Sequence, residues 1–382
     1  MSAIPAITKK VGKSYLVWFQ NSNSYIQLEE PAWFVFRKTK QRFKATTISK
    51  EFATRYGITP KASLAFVTDI RSEIEKLNQP DKTQKKTDQI SGDLNGHHFV
   101  PFSVHHYQLG NRGVTFSYET RLFENYLHPL ICHLETSDTF SEAPLFELFA
   151  YQEQIVFRFD GEAKGVWTKD ETHLVKGMIF MFLTNVMHNK TDADWLMTVH
   201  ASAITNGKKT ILFSAPPGNG KTTIAALLQK RGYQLISDDF VPIDRDSFNA
   251  FPFPIAMSVK EGSMEVLTSL FPELGEKPLN YISPEKSVRY LTSGQQPDLL
   301  KAVYPVHEFI FVQYDGSIDF SWEKLDPIKA IKLLLDQAWV APLSGNAALL
   351  FDRILQISFY QLTYSNNRKA LDAIANLFDH DQ

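Results

Sequence analysis

The chain has 382 residues, 43% of them apolar, a net charge of −2 and one cysteine, Cys132. That is enough for two or three units with full-sized cores, and it excludes an internal disulfide or a multi-cysteine zinc site. The longest apolar run is MIFMFL (178–183), far short of the roughly 20 residues of a membrane helix, and MSAIPAITKK at the start has no signal-peptide stretch, so a cytoplasmic protein without a membrane partner is expected.

Charge is spread unevenly. Residues 1–90 carry 16 Lys/Arg against 8 Asp/Glu, or +8, which leaves −10 for the remainder. Such a basic N-terminal part suits an acidic partner or a plainly solvated face.

SYLVWF (14–19) and SYIQL (24–28) read as two strands joined by a turn-rich QNSN. PAWFVFRKTK (31–40) opens a helix with proline near its first position. TTISKEFATRYG (46–57) spaces Ile48, Phe52 and Tyr56 four apart, with Gly57 as the stop. SLAFVTDIRSEIEKL (63–77) repeats apolar residues at 64, 66, 67, 70, 74 and 77. The sum predicts a small winged-helix-like domain over 1–78. Polar residues 79–96 lack periodicity and mark a linker. Short aromatic-rich runs up to about 170 read as mainly β and 171–188 as a helix, giving a β-rich segment over 97–190. WLMTVHASAITNGKKTILFSA (195–215) reads as strand, Asn-Gly turn, strand. It is followed by a helix (222–231), the strand in YQLISDDF (233–240) and further mixed α/β, a catalytic domain over 191–382.

The junction APPGNGKT (215–222) is where chemistry is expected. A phosphate loop needs small residues so that main-chain N–H groups can turn inward, a lysine for the β/γ-phosphates and a hydroxyl for Mg²⁺, all at a helix N-terminus. Ala215 replaces the first glycine of that pattern, while Gly218, Gly220, Lys221 and Thr222 keep the rest. Pro216 and Pro217 have no N–H, so the donors must come from Gly218, Asn219, Gly220, Lys221, Thr222 and Thr223. ATP with Mg²⁺ is the expected ligand pair.

Seventeen residues after Lys221 come Asp238 and Asp239, at the end of an apolar strand that should reach the edge of a parallel sheet bearing the loop. Two neighbouring carboxylates can divide the labour, one holding Mg²⁺ and the other taking the proton of an attacking hydroxyl. His200 alone reads as a core histidine. His97, His98, His105, His106, His128 and His133 share no ligand spacing with nearby carboxylates and read as structural, so no metal beyond the nucleotide's Mg²⁺ is expected.

These residues carry a resemblance. VHASAI…NGKKTILFSAPPGNGKTTIAALLQKRGYQLISDDFVPI is similar to the catalytic domain of HPr kinase/phosphorylase and its relatives, closely over 199–244 and loosely over about 170–380, and FPFPIAMSVKEGS (251–263) resembles a segment of the related branch. The resemblance implies an α/β P-loop fold akin to the phosphoenolpyruvate carboxykinases. It implies Asp238 as the base for a serine-type hydroxyl, Asp239 at Mg²⁺ together with Thr222, His200 near the terminal phosphate and Glu261 as a second metal-side carboxylate. It also suggests a homo-oligomer. The EIRGLG signature of true HPr kinases is absent, so recognition of HPr itself and the phosphorylase back-reaction do not carry over. Arg289, in SPEKSVRYL, is read either as a transition-state cation or as an exposed helix arginine.

A second resemblance covers NSNSYIQLEEPAWFVFRKTKQRFKATTISKEFATRYG…FVTDIRSEIEKL, which is similar to PqqD-like domains that capture a leader peptide as an added strand. It implies a ribosomal peptide or carrier protein as the hydroxyl-bearing acceptor, with a small molecule left open beside it. Two other readings stay open. One is a nucleotide-sensing regulator whose RKTKQRFK (37–44) contacts nucleic acid, a partner the overall charge does not favour. The other is a carboxykinase-type enzyme acting on a carboxylate or enol.

Overall fold

The computed structural model describes residues 4–80, 94–140, 142–283, 286–292 and 304–379, so most of the expected linker at 79–96 lies outside the described residues. The chain is a mixed α/β protein in two compact units. One holds residues 1–84, 326–335 and 340–356, and the other holds 85–325, 336–339 and 357–382.

In the first unit β1 (Ala6–Val11), β2 (Ser14–Phe19) and β3 (Ser24–Glu29) form an antiparallel sheet in that order. SYLVWF is the central strand, with Leu16 to Phe19 all buried, as a near-continuous apolar run requires. β1 escaped the sequence reading because its lysines sit on a half-exposed edge strand, where charge discourages further pairing. Helices α1 (Glu30–Lys40), α2 (Ala45–Tyr56) and α3 (Pro60–Leu77) follow, α2 stopping at Gly57 in the left-handed conformation (φ 65°). Their apolar faces build two clusters, one around Val17, Phe19, Phe36 and Ile74, the other around Phe34, Val35, Ile48, Phe52 and Val67. This unit is not closed by residues 1–78 alone. It also takes α8 (Pro327–Leu335) and α9 (Ser344–Ile354) from far along the chain. Phe351 of α9 stands edge-on to Tyr25 at 6.0 Å, and Asn23 Nδ2 donates to the Val340 carbonyl at 3.1 Å.

The second unit begins with a five-stranded sheet of β4 (Ser103–Leu109), β5 (Arg112–Tyr118), β6 (Leu145–Tyr151), β7 (Gln154–Phe159) and β8 (Glu162–Trp167), in sequence order. The β5–β6 pair is parallel, and the crossover between them contains α4 (Arg121–Ile131), a helix hidden from the sequence reading by its internal Pro129. With α5 (Thr172–His188) this sheet closes a core of Phe116, Leu127, Phe146, Phe157 and Ile179 that also includes Phe253 and Ile255. Residues 97–190 therefore share a core with later chain and do not stand apart as their own layer.

WLMTVHASAIT divides at His200 into β9 (Trp195–Val199) and β10 (Ala201–Thr205), which enter different sheets; the sequence reading had one strand there. After β11 (Thr210–Ser214) come α6 (Lys221–Lys230), β12 (Gln234–Ser237), β13 (Val241–Asp244), β14 (Met257–Lys260), α7 (Glu261–Thr268), β15 (Asn280–Ser283), β16 (Lys286–Leu291), β17 (Val306–Tyr314) and β18 (Phe320–Lys324). β19 (Ala338–Val340), whose first two residues belong to this unit, β20 (Ser358–Tyr364) and α10 (Asn367–Asp379) complete the chain. Two small sheets run β13-β9-β19 and β14-β16-β15, and the large one runs β12-β10-β11-β17-β20-β18.

β11, β17 and β20 are parallel, whereas β10 is antiparallel to both β11 and β12. The sheet expected to be parallel is thus mixed. Because β10 reverses direction twice over, β11 and β12 still point the same way, and the phosphate-loop sequence and the Asp pair leave from one edge.

Candidate phosphate-binding site

β11 is buried along its whole length and is followed by Ala215, itself buried, before the chain turns through 216–220 into α6. The turn needs glycine twice, since Gly218 (φ 95°) and Gly220 (φ 89°) are both left-handed. Gly220 is doubly constrained, because a Cβ there would stand 2.8 Å from Tyr364 Oη. Asn219 is fixed through its carbonyl, which accepts from Tyr314 N at 3.1 Å, and through its amide, which donates to the Pro216 carbonyl at 3.1 Å. α6 then starts at Lys221, and its first-turn N–H groups have no intrahelical acceptor. They face the edge with the partial positive charge that attracts phosphate.

Lys221 is 7% exposed. Its Nζ donates to Asp239 Oδ1 at 2.9 Å and lies 3.0 Å from His200 Nε2. An ammonium can only donate, so Nε2 must accept and the ring proton sits on Nδ1, which lies 3.1 Å from the Asp239 carbonyl. His200 is itself held by its main chain, its N–H donating to the Gln337 carbonyl at 2.7 Å and its carbonyl accepting from Ser214 Oγ at 3.2 Å. The histidine that alone read as core filling thus sits at the break between β9 and β10 and touches the loop lysine.

The two aspartates are adjacent in sequence and differ completely in environment. Asp238 is 1% exposed, accepts from Ser202 Oγ, and has Thr222 Oγ1 at 3.2 and 3.4 Å from its two carboxylate oxygens. Burial pushes its carboxyl above the usual range, against the pull of Lys221. Asp239 adopts a left-handed backbone (φ 69°), uncommon for a non-glycine residue, and this turn sends its carboxylate the other way, to Lys221 and His200, with the side chain 49% exposed. Burial would raise its pKa, but Lys221, His200 and Lys176 together outweigh it and hold the carboxyl down at about 2.

Other expected residues are placed differently. Glu261 lies exposed in the first turn of α7 and makes no hydrogen bond or ion pair with Thr222, Asp238 or Asp239. That turn is tied to the loop helix by Ser263 instead, whose Oγ is 2.7 Å from Thr223 Oγ1. Arg289 is on strand β16, not on a helix, and its guanidinium donates to the carbonyls of Gly275 and Lys277, so it is committed to holding chain. Four residues that the sequence did not single out join the site. Ser202 holds Asp238, while the charge of Asp239 is felt by Lys176 of α5, Lys260 of β14 and Tyr290 of β16. Both lysines have their pKa lowered by burial, and the Tyr290 phenol is pushed up to about 12, again by burial first. Only Ser202 had a signal, since it lies two residues after His200 along one strand direction.

Among the remaining histidines, His105 and His128, read as structural for want of a shared ligand spacing, are neighbours in the fold. β4 and α4 bring them together with Glu124 and Glu135 across up to 30 residues of chain, a grouping no local spacing encodes.

No protein-family model matches the chain and no curated protein does. Among solved structures, the Hpr(Ser) kinase/phosphatase from Coxiella burnetii is similar to it at 14% identity, covering 47% of this chain and 89% of that one, with a TM-score of 0.20. A likeness of that size carries no argument about chemistry, which rests on the residues themselves. Among the described residues, no helix is long and apolar enough to cross a membrane.

Proposed function

We propose that the chain is an ATP- and Mg²⁺-dependent phosphotransferase that moves the γ-phosphate onto a hydroxyl acceptor. The observation that carries this is the buried Lys221 ammonium at the start of a helix, behind two left-handed glycines, in contact with Asp239 and His200. The Tyr364 hydroxyl, buried beside Gly220 without a hydrogen-bond partner, gives the loop a further unspent polar group.

Thr222 and Asp238 set hard oxygen donors side by side, a set that fits Mg²⁺. Bound there, the ion would offset phosphate charge. This reverses the roles expected from sequence. A carboxylate that is 1% exposed beneath two hydroxyls cannot meet an incoming acceptor, so Asp238 serves the metal side and the half-exposed Asp239 serves as base. While Lys221 grips it, Asp239 is too acidic to take a proton well. Phosphate oxygens that engage Lys221 would relieve that grip and raise the carboxylate's basicity, which links base strength to nucleotide occupancy.

For the first unit we infer a peptide-presenting role. Its sheet leaves β3 as an outer strand without the edge lysines of β1, and an extended peptide can add to such an edge. Anisotropy of a labelled leader-type peptide would rise on binding, whereas retardation of DNA with a steep salt dependence would favour the regulator reading instead.

The deciding experiment supplies γ-labelled ATP, Mg²⁺ and serine- or threonine-bearing peptides to the full chain. Transfer that disappears in Lys221→Ala supports the proposal. Ordinary ATP affinity with no transfer to any hydroxyl-bearing acceptor would sink it.

A further inference from the structure

A second cluster of titratable groups lies on β4 and α4, outside the phosphate site. His105 of β4 is held on both sides, its Nδ1 2.6 Å from Glu135 Oε1 and its Nε2 2.7 Å from Glu124 Oε1. Glu124 and His128 are four apart on α4 and so share one face of that helix. The His128 ring lies 4.2 Å from that of His105, and its Nδ1 is 2.8 Å from Tyr107 Oη, which leaves Nε2 for a ligand. Beneath them are two wholly buried phenols. Tyr118 lies beside Tyr107, and its hydroxyl makes no hydrogen bond of normal geometry.

Glu124 and Glu135 thus bring two carboxylates to a pair of stacked imidazoles. A divalent cation among them would be matched by two carboxylates, with the two imidazoles as neutral donors. One ligand atom each from His105, His128 and Glu135 already lie within 4.8 Å of one another. We propose that His105, His128 and Glu135 bind a divalent transition ion of the Zn²⁺ class, with Glu124 as the outer partner that fixes the His105 ring.

The chemistry fits at each point. Mixed imidazole and carboxylate donors suit Zn²⁺ and its neighbours rather than Mg²⁺. A zinc-bound histidine ordinarily donates its other ring N–H to a carboxylate, the place Glu124 already holds at 2.7 Å. Seating the ion between His105 and Glu135 requires their 2.6 Å contact to open to about 3.3 Å, given tetrahedral bonds of about 2 Å. The histidine rings, now stacked at 28°, must turn so that one meets the ion edge-on. Glu135 follows α4 with its side chain 41% exposed, so it is free to shift and leaves a way in from solvent. Three protein ligands leave a fourth position for water.

The test uses the full chain, stripped with chelator and dialysed against Zn²⁺ with Mg²⁺ in large excess so that the Thr222–Asp238 donors are occupied. One Zn²⁺ per chain should stay bound in the wild type and in Asp238→Asn. His128→Ala and Glu135→Ala should each weaken retention by more than about 100-fold, beyond what outer partners alone cost. Co²⁺ supplied to the wild type should give the strong visible absorption of a four- or five-coordinate site, a readout that needs no variant to fold. No retention by the wild type, equal retention by a folded His128→Ala, loss of the ion in Asp238→Asn instead, or the weak Co²⁺ spectrum of a water-like octahedron would each overturn the proposal.

Discussion

The phosphate-loop site and the His105 cluster each set a cation against two carboxylates, yet they behave as different electrostatic devices. Lys221 is buried with its Nζ 2.9 Å from Asp239 Oδ1, so its hold on Asp239 lasts until another anion competes for it. At His105 a positive charge exists only while a second ring proton, or a metal bound in its place, supplies it. One arrangement is poised for ligand exchange at constant charge, and the other for exchange of the charge itself. The backbone differs too. At the first site a left-handed Asp239 splits two neighbouring carboxylates, whereas at the second a strand and a helix converge on one ring.

The largest expected effect comes from separating that pair of aspartates. Asp239→Asn should lower phosphate transfer by about 10²–10⁴-fold, the usual range for losing a general base, with ATP affinity nearly unchanged. Asp238→Asn should instead weaken Mg²⁺-dependent nucleotide binding, since it strips the donor beside Thr222. The two are told apart by comparing kcat with nucleotide Kd across a Mg²⁺ titration. The opposite pattern would restore the roles implied by the family resemblance.

A smaller effect concerns the loop's shape. Gly220→Ala meets two obstacles, a φ of 89° and Tyr364 Oη at 2.8 Å from the new Cβ. The left-handed backbone alone costs about 1–2 kcal/mol, so nucleotide affinity should fall by roughly five- to thirtyfold. Adding Tyr364→Phe removes the steric obstacle and not the conformational one, so it should recover part of the loss. Full recovery would mean that the backbone was never strained, and none that the hydroxyl is not the obstacle. Tyr364→Phe alone also asks whether that buried hydroxyl contributes to nucleotide affinity.

These sites differ in how far the chain announces them. The loop's shape, a strand turning through two left-handed glycines into a helix, was legible because that turn needs its glycines close together in APPGNGKT. The edge shared by that loop and the Asp pair was legible too, although β10 lying between β11 and β12 was not, since apolar strands carry no label for their direction. Helix α4 was missed because Pro129 broke its periodic pattern, and with it went the meeting of His105, His128 and Glu135. Lys176 and Lys260 reach the site from separate elements, as ordinary lysines in sequence. In the first unit α1 to α3 followed from their apolar spacing, while the contribution of residues 340–356 depends on tertiary packing around Tyr25. Contiguous constraints can be read in the chain, and convergent ones only in the fold.

The smallest effect sharpens the electrostatic contrast most directly, because the two sites should lose stability at opposite ends of the pH scale. Asp239 is held at about 2 against roughly 3.9 in an unfolded chain, burial opposing and Lys221, His200 and Lys176 together prevailing. A depressed carboxyl stabilises the fold above its unfolded pKa, and that contribution is lost as pH falls from about 4 towards 2. For His105 burial lowers the pKa, but Glu135 and Glu124 outweigh it and leave the ring above its ordinary value. A raised histidine contributes fully below about 6.5 and loses that contribution as pH climbs through its folded pKa. Since both side chains are partly exposed, each effect should stay under about 1 kcal/mol. Urea midpoints measured against pH in metal-free buffer should therefore decline on both limbs. Asp239→Asn should flatten the acid limb alone, whereas Glu124→Gln with Glu135→Gln should remove the decline above 6.5 and, since His105 also holds the Glu124 carboxyl below its ordinary value, trim the acid limb. Zn²⁺ should reverse the second limb in the wild type, because metal displaces the His105 proton and holds better as protons become scarce. An alkaline limb that persists in the double glutamine variant would place its titrating group elsewhere and remove the contrast between the two sites.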